Sequence, residues 1–269
     1  MSKPVARNPG RPVDASQARP SAEAKGGELM SKEKVQLPDY IKDSGQARGS
    51  ENVGTRDITI PRIEVVQALS KCLKESEPGY IEGAKQGNLY NSLTRALYGS
   101  SVVFVPVFYK KEFLIWVDRK KGGAGGTGFR GAHDTEEAAL RAKKLLEDAD
   151  KCEVNETHQQ FGLLVHAGGI DELVVSMAKS KLKTSRNFNS LIRLNGGDRF
   201  SRAYRISTVE ESNDKGDFWN FQVANHGFPT REAYEKAERL YEMIAAGRAD
   251  VDRTYDAADD EAGGHAAEM

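Results

Sequence analysis

The sequence predicts an α+β protein: an antiparallel β-barrel or sheet core with peripheral helices and disordered N- and C-terminal tails. Three observations carry that expectation. Residues 102–109 (VVFVPVFY) and 113–117 (FLIWV) are β-branched and aromatic, the composition of strands. Residues 200–223 read as a hairpin around Ser212-Asn213-Asp214-Lys215-Gly216, where Gly216 suits a positive φ. Helical patterning is confined to the flanks of these runs.

In chain order, residues 1–55 hold Pro4, Pro9, Pro12, Pro20 and Pro38 and few large apolar side chains. Such a segment buries too little surface to offset its ordering entropy and is expected to be a disordered arm. One domain is expected over 56–247. Residues 57–63 alternate once and meet Pro61, as an edge strand would. Residues 65–73 fit either a continued strand or a helical turn. The strands at 102–109 and 113–117 are joined by Lys110-Lys111-Glu112, and Pro106 marks an edge or a bulge. A basic run, Asp118-Arg119-Lys120-Lys121, leads into a glycine-rich loop ending in Gly128-Phe129-Arg130-Gly131.

Residues 134–150 predict a helix capped by Asp134 or Thr135, with Glu136 and Glu137 at its positive end. Residues 161–165 predict a short strand. A second helical run is expected to begin at Asp171 and to pass through Leu173, Val174, Met177, Ala178 and Leu182. In the hairpin, Trp219, Phe221 and Val223 should face the core, leaving Phe218, Asn220 and Gln222 on a wetter face. Thr230 should cap a last helix burying Ala233, Ala237, Leu240, Tyr241 and Ile244. An acidic tail is expected over 248–269.

Charge is segregated within a chain of 269 residues whose net charge is −1. Lys179, Lys181, Lys183, Arg186, Arg193, Arg199, Arg202 and Arg205 fall in one stretch, with Asp198 the only acid among them. Phe188, Phe200 and Tyr204 are interleaved. Cations for phosphates beside flat apolar rings for bases suit a single-stranded nucleic-acid binder. A solvated basic helix joined to a core hairpin would leave the same pattern.

Other chemistries lack their signatures. Gly123-Ala124-Gly125-Gly126-Thr127-Gly128 matches GxGxxG, but the loop is too long for a dinucleotide turn and no βαβ series follows. No GK[ST], GxSxG, HExxH or CxxC is present. His133, His158, His166, His226 and His265 are scattered, and Cys72 and Cys152 read as reduced thiols. No cofactor, metal or catalytic group is expected. Without an apolar run of membrane-spanning length or a signal sequence, the expected location is cytoplasmic, in the host if the gene is viral.

Several segments together resemble phage-encoded single-stranded DNA-binding proteins. They are ITIPRIEVVQALS at 58–70, Tyr98-Gly99 before VVFVPVFYKKEFLIWVDR, Gly128-Phe129-Arg130-Gly131, and Arg199-Phe200-Ser201 leading into YRISTVEESNDKGDFWNFQV. The resemblance implies an OB-fold core and coating of single strands in replication or recombination, with tail contacts to a polymerase, helicase or recombinase. Known tails of this type finish in an aromatic residue, whereas this one ends Ala266-Ala267-Glu268-Met269.

The expected function is therefore single-stranded DNA binding in phage replication or recombination, without catalysis or strong sequence preference. Lys110, Lys111, Arg119, Lys120, Lys121 and Arg130 would form one cationic wall, and Lys179 to Arg205 the other. Trp116, Phe129, Tyr204 and Phe218 would stack bases. The competing expectation is a phage structural or virion-associated protein with no preference for single strands.

Overall fold

Alternation of apolar residues over long runs builds most of the molecule. The computed structural model describes residues 59–118, 128–213, 216–246 and 250–251. Its strands are, first, β1 (Thr59–Ile60), β2 (Ile63–Val65), β3 (Leu89–Asn91), β4 (Leu97–Gly99), β5 (Ser101–Val117) and β6 (Phe129–His133). Helix α1 (Glu136–Lys144) precedes β7 (Cys152–His166) and β8 (Gly169–Ala178). Helix α2 (Leu182–Asn195), β9 (Ala203–Asn213), β10 (Gly216–Gly227), α3 (Arg231–Ala245) and β11 (Asp250–Val251) follow. The expected arm at 1–55, loop residues 119–127, and the tail beyond Val251 lie outside the described residues.

The fold is α+β, with mostly antiparallel sheets. The main sheet runs β10-β9-β5-β7-β8, and β6 pairs with the far end of β5. This path has two ends, so the described strands form no closed barrel. A smaller sheet, β2-β3-β4, packs Ile63, Val65 and Leu89 into the core of the main one, and β1 pairs in parallel with β11.

Where two strands and a charged link are expected, one 17-residue strand runs without a break. Lys110, Lys111 and Glu112 stay in the ladder because they face Gln159, His158 and Thr157 of β7, which are equally polar. Pro106 does coincide with a bulge, at the register shift between Pro106 and Phe108. Opposite it, Gly162 is required: a Cβ there would stand 2.4 Å from both the Phe104 ring and the Val105 carbonyl oxygen. The strand expected at 161–165 is the end of the 15-residue β7.

The helix expected from Asp171 is instead strand β8, and helix begins only at Leu182. Leu173, Val174 and Met177 fit a helical stripe, but Leu173, Val175 and Met177 enter one core while Val174 enters another. A strand buried on both faces mimics helical periodicity in this way.

Those two cores lie on opposite faces of the sheet. On one, Phe104, Leu164, Leu173, Val175, Met177, Tyr204, Ile206 and Phe221 pack with Phe188 and Ile192 of α2. On the other, Val105, Val107, Phe161, Leu163, Val174 and Ala203 meet Ala237, Leu240 and Ile244 of α3. Helix α1 seats Ala139 on Phe113, Ile115, Val117 and Cys152. Thr135 and Thr230 cap α1 and α3 by accepting from the amides of Ala138 and Ala233. Among the described residues, no helix is long and apolar enough to cross a membrane.

Candidate nucleic-acid interface

Helix α2 turns Ser185, Phe188 and Ile192 inward. Its other side exposes Lys183, Arg186, Ser190 and Arg193, spaced three or four residues apart and so on one face. Lys179 is exposed just before the helix. No acid occurs from Lys179 to Gly197. Lys181 departs from this pattern: it is buried, with its ammonium 5.5 Å from the centre of the Phe221 ring.

The cationic face continues onto the sheet. Glu156 of β7 lies 3.6 Å from both the Lys111 ammonium and the Arg186 guanidinium. Its carboxyl is held below the ordinary range, first by the hydrogen bond from His158 and then by the nearby cations. Beneath it a polar chain crosses from sheet to helix. His158 Nε2 lies 2.8 Å from the Glu156 carboxylate and Nδ1 lies 2.9 Å from Ser185 Oγ. The carboxylate must accept, so Nε2 carries a proton, and in the neutral ring Nδ1 then accepts from the serine. Gln160 Nε2 donates to Ser185 Oγ at 2.9 Å and to Asn189 Oδ1 at 3.3 Å. Arg199 donates to Gln160 Oε1, and to Asn189 Oδ1 at 2.8 Å.

The Ser185–His158–Glu156 order resembles that of a hydrolase triad, but Ser185 is 0% exposed, so the chain serves to join α2 to the sheet. Cys152 is not part of it; the thiol donates to Asp148. Among the described residues no group of three or more His, Cys, Asp or Glu side chains is placed to hold a metal ion.

Arg199 also lies 5.5 Å from the centre of the Tyr109 ring, which packs edge-on against His158. Both stand beside the stretch of β5 between Phe104, the last partner of β9, and Phe113, the first partner of β6. Burial pulls the Arg199 guanidinium down to about 10. Burial, then the charge of Glu156, raises the Tyr109 phenol.

Among the described residues, the two expected cationic walls are brought together only in part. Lys111, Arg186 and Arg199 come together, and Lys179, Lys183 and Arg193 extend them. Lys110 is held by Glu112 at 2.6 Å, and Arg130 by Asp148 at 2.9 Å. Arg202 covers the exposed Phe228 ring at 4.6 Å. Arg205 donates to Ser101 Oγ at 3.2 Å from the sheet face opposite Tyr204. Arg119, Lys120 and Lys121 lie outside the described residues.

Two of the four expected stacking rings are in the core. Tyr204 is 1% exposed, edge-on to Phe188, and its hydroxyl accepts from Asn195. Trp116 is 6% exposed and packs on Phe129, 5.2 Å between ring centres. Phe129 and Phe218 are half-buried. Tyr109, Asn189 and Gln160 are the site residues that the sequence reading missed. Their signal was parity: Tyr109 and Lys111 share a face of β5 opposite Gln160 and His158 of β7.

No curated protein and no solved structure matches this chain. The model of one family, described as Pam3 phage gp34-like protein, matches residues 30–250. That match covers most of the sequence, and the chain belongs to the Pam3 phage gp34-like family.

Proposed function

We propose that this phage-family protein binds nucleic acid along the outer face of α2, without catalysis, and acts on single-stranded DNA in replication or recombination. One observation carries the reading: Lys183, Arg186 and Arg193 share an exposed helical stripe in a stretch without an acid, and Lys111 extends it onto the sheet. Such a row neutralises successive phosphates and releases their counterions. Of the rings, Tyr109 shares this face, and a stacking contact there is worth about 1–3 kcal/mol per base; Phe218, alternating with Phe221, and Phe129, the partner of Trp116, point to the other face of the sheet. The OB-like barrel of the original expectation is not needed for this mode of contact.

A second reading has its own support. With Tyr204 and Trp116 buried, fewer rings remain for unstacked bases, as expected of a structural or virion-associated protein that meets duplex or another subunit. Fluorescence anisotropy separates the two, with labelled single-stranded and duplex DNA of equal length across a salt series. The proposal predicts tighter single-strand binding and a steep loss of affinity with salt. Equal, weak binding to both forms would favour the structural role.

A further inference from the structure

Among the described residues, Arg199 is a half-buried cation without a counter-ion. Its hydrogen-bond partners, Gln160 and Asn189, are neutral amides, and its third neighbour is the face of Tyr109. No carboxylate among the described residues lies within ion-pairing distance of it. Its Nε is buried with no hydrogen-bond partner. A guanidinium offers five N–H donors, and burying one without an acid is costly. The arrangement is unlike that of Arg130 and Arg231, which each hold a carboxylate.

Position supports a ligand rather than a packing role. Arg199, Tyr109 and Asn189 are each half-buried and keep some contact with solvent. They lie where β5 has neither β9 nor β6 as a neighbour, at the foot of the α2 stripe. Arg186 and Lys111 stand above them, and both share Glu156.

We propose that Arg199, with Asn189 and the Tyr109 ring, forms an anion site that takes a phosphate group. In a nucleic-acid complex the ligand is one phosphodiester of the strand, and its neighbouring base lies on Tyr109. That half of the inference rests on the function proposed above; the phosphate site rests on Arg199 alone. An anion here would supply the missing counter-charge at the solvent-facing side of the guanidinium, and the buried Nε–H would report the change in its charge environment.

The test is a ¹H–¹⁵N titration of the full chain that follows the Arg199 Nε–H signal, assigned by its disappearance in Arg199→Gln. Inorganic phosphate and a short oligothymidylate are the two probes. The signal should move with phosphate, and the oligonucleotide should move it as well. A thermal shift on adding phosphate should be present in the parent and lost in Arg199→Gln. Arg199→Lys, which keeps the charge, should retain part of that shift and guards against a folding defect in the glutamine variant. An Nε–H signal that phosphate leaves unmoved would overturn the site. Movement with phosphate alone would assign the site to free phosphate and remove the strand from it. If α2 charge variants weaken DNA binding while Arg199→Gln leaves affinity and salt slope unchanged, the function stands and the strand contact at Arg199 fails.

Discussion

At the scale of single residues, Glu156 is an acid set among the cations of the interface. It occupies Lys111 and Arg186 and anchors His158. Glu156→Gln should therefore strengthen nucleic-acid binding about threefold to tenfold, because two partly exposed cations lose their competitor. Anisotropy at fixed salt measures it, and a weaker complex would mean that His158 and Glu156 hold the binding surface in shape. The same carboxyl has a pH signature. Its folded value is depressed, so its contribution is present above the ordinary carboxylate range and lost as pH falls through the folded value. In the glutamine variant the acid-side loss of melting temperature should be shallower.

At the scale of elements, the pairing of β5 with β7 has a tight point at Gly162. The missing side chain at Gly162 lets the Phe104 ring and the Val105 carbonyl approach at the Pro106 bulge. Gly162→Ala should cost about 1–3 kcal/mol by overpacking. A denaturant midpoint equal to that of the parent would show that the strands part there at no cost. Much of this level was legible in the sequence. Thr230, the buried Ala233, Ala237, Leu240 and Ile244 of α3, the Thr135 cap, and the inward parity of Trp219, Phe221 and Val223 all follow from local pattern, whereas Tyr241, expected in the same stripe, is exposed at its edge. What was not legible depended on partners. Lys110-Lys111-Glu112 looks like a turn until Gln159, His158 and Thr157 stand opposite it. Gly169–Ala178 looks helical until both of its faces are covered. Tyr204 looked like a stacking ring because its strand was known, whereas the helix packed over it was not.

At the scale of the molecule, a chain of net charge −1 segregates its cations by secondary structure. Inward positions of α2 feed the core and outward ones carry Lys183, Arg186 and Arg193, so one amphipathic helix both closes the fold and forms the proposed binding face. The sheet supplies Lys111, Tyr109 and, through the polar chain to Ser185, the rigid seat of that helix. Arg202 and Arg205 belong to other surfaces, which makes the interface smaller than the basic stretch of sequence implies. The most direct test is the triple variant Lys183→Glu, Arg186→Glu, Arg193→Glu, compared with the parent in anisotropy across salt. All three side chains are exposed, so folding should be kept, as circular dichroism would verify. The account predicts a loss of affinity at every salt concentration, with the salt slope reduced by ~3 if each cation meets one phosphate. A folded variant that binds as tightly as the parent, with an unchanged slope, would contradict it.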